Sequence, residues 1–259
     1  MRLAAVVEYD GSAFSGWQRQ SGVRSVQQCV EEALSKVADE PIAVTVAGRT
    51  DAGVHALAQV IHFDTQATRN DYSWLRGANS NLPADAVLLW TGEVSNQFHA
   101  RYSATGRHYD YVVLNNPIRP VHLRQRVTWD YRSLDIERMR AAAAHLIGTH
   151  DFTSFRAVEC QARSPVRELR ALTIERRGEL VRIRAHANAF LHHMVRNIAG
   201  VLMQIGAGER ETSWAKEVLA ACDRRRGGVT APPDGLYLTQ VDYPEGFRLP
   251  RFARETALW

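Results

Sequence analysis

Lysine is almost missing from this chain. Of 32 basic residues only Lys36 and Lys216 are lysine, and the other 30 are arginine. Guanidinium groups suit phosphate gripping and base stacking. Codon bias toward GC-rich genomes gives the same excess, so composition alone leaves both readings open. Cysteine is sparse as well. Cys29, Cys160 and Cys222 are odd in number, far apart and without CxxC spacing, which argues against a disulfide framework and a zinc site; they read as small buried apolar residues. No run approaches the ~18 apolar residues of a membrane helix. Nor does a basic stretch with an apolar core precede the strand that opens at Leu3, so the expected location is cytoplasmic. GxGxxG, Walker A and GxSxG motifs are absent, which removes the main support for nucleotide-cofactor and serine-hydrolase chemistry. His186, His192 and His193 come with no HExxH, no acid at ligand spacing and no nearby cysteine, so no metal is expected.

What is present is enough for a packed core: 259 residues, 45% of them apolar. Charge is unevenly divided. Residues 1–100 carry 7 Lys and Arg against 11 Asp and Glu, and residues 101–259 carry 25 against 17, so the second part is the basic one.

Leu3 to Tyr9 reads as a first strand and Asp10-Gly11 opens a loop with Phe14, Gly16, Trp17, Gln18, Arg19 and Gln20. So aromatic and polar a loop reads either as a flap packing Trp17 on the core or as a nucleic-acid contact. Ser25 and Gln28 form a capping box, and Val26, Val30, Leu34 and Val37 mark the buried stripe of a helix. Ile42, Val44 and Val46 then alternate as a strand. Leu57, Ile61 and Phe63 mark the next one, Asp71 starts a helix, and Val87 to Trp90 closes the set. The order βαββαβ is that of a split-βαβ unit with an antiparallel sheet.

The second part gives the same order with one helix more. Arg107 to Leu114 places Tyr109, Tyr111 and Val113 on one face. A helix follows from Asp135 to Gly148, then strands 168–175 and 181–187 and an apolar helix from Leu191 to Ile205. A helix from Trp214 to Cys222, an arginine-rich loop at Arg224–Arg226 and a strand 236–241 complete it. Arg196 and Gly200 fall opposite the Leu191 stripe, near His192 and His193. That face is either solvated or a basic, dented wall able to receive a phosphate or carboxylate. The expected fold is α+β, with two similar split-βαβ, ferredoxin-like domains at 1–105 and 106–259 around a central cleft. Residues 251–259 stay unassigned, free to dock through Trp259 or to fray.

The segment between the second and third strands is Gly48-Arg49-Thr50-Asp51-Ala52-Gly53-Val54-His55-Ala56. Two glycines bracket one carboxylate, with Arg49 two residues away. Local pattern leaves this open between a β-connection whose Asp caps its own turn and a catalytic loop. The nine residues resemble the active-site motif of the tRNA pseudouridine synthase I family, which modifies uridines 38 to 40 of the anticodon arm. Tyr9-Asp10-Gly11 with Gly16-Trp17-Gln18, Phe98-His99-Ala100-Arg101, Arg107-His108-Tyr109-Asp110-Tyr111, Phe152-Thr153-Ser154-Phe155 and Phe190-Leu191-His192-His193-Met194-Val195-Arg196 resemble further family segments, in family order.

The resemblance implies that Asp51 is the essential aspartate, that Tyr109 stacks on the target base and that Arg196 pairs with the aspartate. Arg49 becomes a phosphate or positioning contact for the flipped nucleotide. It further implies tRNA as partner, a homodimer, and neither cofactor nor metal. The chemistry is consistent with these roles: a carboxylate working in a dry pocket stays ionised when a guanidinium stands within ~4–6 Å, and an aromatic platform adds ~1–3 kcal/mol per stacked base. Two rivals remain. One is a tRNA-binding or chaperone protein without activity; the other is a glycoside-cleaving hydrolase, which needs a second carboxylate ~5–10 Å from the first.

Overall fold

The computed structural model describes residues 1–253 and Leu258. The chain is a mixed α+β protein with mostly antiparallel strand pairing and five α-helices among the described residues. Its contacts divide it into two compact units. One is Met1–Thr105 with the stretch that starts at Tyr237, and the other is Gly106–Leu236.

In the first unit β1 (Arg2–Tyr9), α1 (Val26–Ala38), β2 (Thr45–Val46), β3 (His55–Asp64), α2 (Asp71–Asn81) and β4 (Ala86–Val94) follow the expected order. β1 lies between β3 and β4, antiparallel to both. The register Leu3↔Phe63 puts those side chains on one face, where Phe63 meets Trp74 of α2 edge-on at 5.4 Å. The opposite face carries Ala4, Val6, Ala58 and Val60, packed with Phe98 and Ala100 and covered by Tyr243, Phe247, Leu249 and Phe252. Both faces of β1 and β3 are therefore buried, which explains why these strands read as near-continuous apolar runs. Phe252 belongs to that cover; Trp259, the residue expected to dock, lies outside the described residues.

Sequence expectations at this end hold with two changes, and one open alternative closes. Ser25 accepts from Gln28 N at 3.3 Å, but the Gln28 amide donates to Glu32 instead of returning to Ser25, so the capping box is only half formed. The strand expected from Ile42 shrinks to Thr45–Val46, although Ile42 and Val44 are buried. The aromatic loop is the flap reading: Trp17 is 1% exposed, and Gln18 and Arg19 are tied to Gln27 of α1.

The second unit holds β5 (Gly106–Asn115), β6 (Thr128–Asp130), α3 (Ile136–Ala144), β7 (Gly148–Asp151), β8 (Val166–Arg177), β9 (Leu180–Ala187), α4 (Met194–Gly206) and α5 (Trp214–Ala221). The sheet order is β5-β9-β8-β7, with β6 parallel to β5. β10 (Leu236–Asp242), at the end of the chain's second part, pairs in parallel with β3 through Tyr237↔His55 and Leu238↔Ala56. β6 and β7, of three and four residues, are too short to show a period. Cys222 is exposed and Cys29 and Cys160 are half-buried, so the cysteines are not the buried apolar residues that sequence suggested.

α4 departs most from its sequence reading. It starts at Met194, after a left-handed His193, and is buried nearly all round. The dent at Gly200 opens neither to solvent nor to a ligand. A side-chain carbon there would stand 2.0 Å from the Val229 carbonyl oxygen, so the backbone of 229–231 fills it. Arg224 clamps this stretch with bonds to Asn197, Gly228 and Thr230.

Candidate active site

The loop between β2 and β3 is built as a rigid turn. Val54 N donates to Asp51 O at 3.2 Å, and Gly53 at φ 80° takes the left-handed third position of a type II turn. Gly48 has no such conformation. Its part is its carbonyl, which accepts from the Gln59 amide at 2.6 Å. Thr50 is buried, Asp51 half-buried and Arg49 exposed, so the loop alternates between core and surface through three consecutive residues. The acid thus stands at the boundary, with the arginine on the solvent side.

The segment Asp10–Trp17 braces this turn. Gly16, at φ +89°, lies flat against it: a β-carbon would come within 2.8 Å of Thr50 O and 3.1 Å of Ala52 N. Trp17 N donates to Thr50 O at 2.9 Å, and Gly11 N donates to His55 Nδ1 at 3.0 Å. The His55 ring is stacked on Tyr237 at 4.5 Å. The Tyr-Asp-Gly and Gly-Trp-Gln segments are therefore the supports of the Asp51 turn, a role that their spacing alone did not reveal.

Tyr109 and Arg196 belong to the second unit. Tyr109 is 8% exposed and meets Phe190 edge-on at 5.1 Å. Arg196, in the first turn of α4, donates from Nε to Ala231 O at 2.8 Å and accepts from Ala231 N at its own carbonyl. The stretch that fills the Gly200 dent thus also orients this guanidinium. Burial pushes the Tyr111 phenol above its ordinary range, against the opposing effects of the Thr128 bond and the Arg196 charge. Tyr111 bonds Thr128 and the Pro232 carbonyl, so the floor of this region is polar and hydrogen-bonded.

Sequence reasoning missed the buried residues behind the loop. Tyr9 and Gln59, on the neighbouring strands β1 and β3, reach Thr50 and Gly48. The available signal was an amide in the apolar run His55 to Phe63. Part of the arginine excess is structural: Arg2, Arg24, Arg132 and Arg225 pair with Asp64, Asp85, Asp130 and Asp223. On β5 the buried Asp110 lies 3.1 Å from Arg184 and 3.7 Å from Arg182.

Comparison with known proteins bears on what this loop serves. A family model described as tRNA pseudouridine synthase matches residues 5–103 and 142–244, stretches that hold Arg49, Asp51 and Arg196 but not Tyr109. The tRNA pseudouridine synthase A of Nitrosococcus oceani is 56% identical over 259 residues, all of both chains. Those of Methylococcus capsulatus and Pseudomonas aeruginosa are 57% and 59% identical, over 98% and 96% of this chain and 93% and 88% of theirs. A chain of a solved Cbf5-Nop10-Gar1 complex aligns at TM-score 0.38 and 10% identity over 91% of this chain. This chain spans 57% of that one, and the likeness is too slight to carry an argument. With the braced Asp51 turn inside a match of this extent, and relatives alike from end to end, the chain belongs to the tRNA pseudouridine synthase family, whose members are isomerases.

Proposed function

We propose that this protein isomerises uridine to pseudouridine at positions 38, 39 and 40 of the tRNA anticodon stem-loop, with Asp51 as the essential catalytic residue. The observation that carries the reading is the turn Gly48–Ala56. It resembles the family's active-site motif, and its backbone turn is hydrogen-bonded with its single carboxylate at the boundary of core and solvent. In the reaction the N1–C1′ bond of uridine breaks, the base turns, C5 bonds to C1′, and the proton lost from C5 is balanced by one gained at N1. Asp51 acts either by attacking C1′ or by removing the proton beside it. Either way a carboxylate in a drying site needs a counter-charge to stay ionised, a role we assign to Arg196. Tyr109 receives the base by stacking and Arg49 the flanking phosphate. Unstacking the uridine costs a few kcal/mol, offset by phosphate contacts along the arginine-rich second part.

The proposal extends to organisation. The chain is read as two related split-βαβ halves divided near residue 105, working as a homodimer in the cytoplasm. Among the described residues no helix is long and apolar enough to cross a membrane. The test is incubation of the purified protein with unmodified tRNA, followed by position mapping. Pseudouridine at 38–40 supports the proposal. Release of free uracil would point to a glycoside-cleaving hydrolase, and bound but unchanged tRNA to a chaperone.

A further inference from the structure

Behind the Asp51 turn runs a buried chain of hydrogen bonds. The Tyr9 hydroxyl lies 2.8 Å from Thr50 Oγ1. The Gln59 amide nitrogen donates to Gly48 O at 2.6 Å and approaches the Tyr9 oxygen at 3.5 Å. Tyr9, Thr50 and Gln59 are 3%, 7% and 0% exposed. Tyr9 and Gln59 project from paired strands, where Val7 faces Gln59 and Tyr9 faces Ala56, so the rigid sheet carries both groups.

Gln59 is informative because its buried amide is only half satisfied. Its Oε1 is buried without a hydrogen-bond partner, and an orphaned buried acceptor is destabilising. The orientation is nevertheless forced: turned round, the amide would set its oxygen against the Gly48 carbonyl oxygen at the same close distance. A leucine or methionine would fill this strand position, flanked by buried Ala58 and Val60, but would move the unsatisfied acceptor to Gly48 O. What the amide supplies, and an apolar side chain does not, is a fixed Gly48 carbonyl and a donor toward Tyr9. Burial also pushes the Tyr9 phenol up to about 12, so it stays protonated and able to donate throughout the neutral range.

We infer that Tyr9 and Gln59 are positioning residues for the Asp51 turn: they fix Gly48 and the Thr50 side chain, and so the direction in which the next residue's carboxylate leaves the loop. The inference rests on the reading of Asp51 as catalytic. Gly16 and Trp17 hold the Thr50 carbonyl from the other side, so the peptide before Asp51 is gripped at both its side chain and its oxygen. Displacing a reacting group by ~1 Å can cost on the order of 100-fold in rate; partial loss of this grip therefore shows in turnover before it shows in substrate binding.

The test compares the full-length wild type with Tyr9→Phe, Thr50→Val, Thr50→Ser, Gln59→Leu, the Tyr9→Phe/Thr50→Val double variant and Asp51→Asn on unmodified tRNA. kcat, KM and the unfolding midpoint are measured for each. Tyr9→Phe, Thr50→Val and Gln59→Leu should each lower kcat by about ten-fold or more, with KM for tRNA within about two-fold. Thr50→Ser, which keeps the hydroxyl, should restore most of it. The double variant should be no slower than the slower single, because the two groups share one bond. Gln59→Leu exchanges one unsatisfied acceptor, its own Oε1, for another, Gly48 O, so the midpoint should shift little while kcat falls, which a merely structural role does not predict. Wild-type kcat in Tyr9→Phe and Gln59→Leu, or losses that multiply in the double variant, would overturn the inference. Should Thr50→Val not fold, Tyr9→Phe, Thr50→Ser and Gln59→Leu decide it. An active Asp51→Asn would sink the catalytic reading itself, whereas an inactive Asp51→Asn beside fully active Tyr9→Phe and Gln59→Leu sinks only the positioning role.

Discussion

Replacing Gly200 by alanine tests how α4 is seated. Alanine is the better helix former by about 1 kcal/mol, so propensity alone predicts a more stable protein. The structure predicts the reverse. The new methyl group would stand 2.0 Å from Val229 O, backbone and not a flexible side-chain end, so residues 229–231 must retreat by more than an ångström. That retreat breaks Ala231 N→Arg196 O and Arg196 Nε→Ala231 O, at 3.2 and 2.8 Å. Losing the pair costs roughly 2 kcal/mol and the overpacking about 1–3 kcal/mol more. Net of the propensity gain, destabilisation comes to about 3 kcal/mol. For a chain of this size that is a fall of roughly 6–12 °C in the unfolding midpoint, readable by circular dichroism. Turnover should fall too, because Arg196 loses its fixed orientation. An unchanged or raised midpoint would refute the close packing of this stretch on α4.

Three further outcomes are expected. The buried His62 ring accepts from Ala100 N at 3.1 Å, and burial, helped by the charges of Arg2 and His99, pushes its pKa down from 6.5 to about 4. The unfolded chain thus takes up a proton that the folded one refuses as pH falls from 6.5 to 4. Stability is full above that window and drops by about 2 kcal/mol between pH 7 and 5; urea unfolding should show this in the wild type and much less in His62→Gln, and equal slopes would refute it. Asp135 caps α3 by accepting from Glu137 N and Arg138 N, so Asp135→Ala should cost about 1 kcal/mol and Asp135→Asn only a fraction of it, both read from melting curves. For Arg196→Ala the loss of turnover should exceed the loss of tRNA affinity, with Arg196→Lys intermediate; the reverse ratio would make Arg196 a phosphate contact only.

Long elements were legible because their residues repeat at one period. β1, α1, β5, β8, β9 and α5 fall within a few residues of their expected places. β6 and β7 were not legible, since three or four residues establish no period, and Gly148, read as a helix stop, opens β7 instead. The error at α4 has a different cause. Sequence shows that Arg196 and Gly200 share a face but not that residues 229–231 return to cover it, a contact some thirty positions away. At the loop, pattern showed a bracketed acid and no more. Its bracing depends on Gly16, Trp17, Tyr9 and Gln59, whose relation to Thr50 arises from strand register and the folded flap. The arginine excess could not be apportioned from composition, because ion pairs such as Arg24–Asp85 join residues 61 positions apart.

The proposed function places the chemistry on the Asp51 carboxylate. Asp51→Asn keeps the size of the side chain and removes only its charge and basicity. Incubated with unmodified tRNA bearing uridine in the anticodon arm, this variant should bind tRNA within a few-fold of wild type and form no pseudouridine. Pseudouridine formed at a substantial fraction of the wild-type rate would contradict the account.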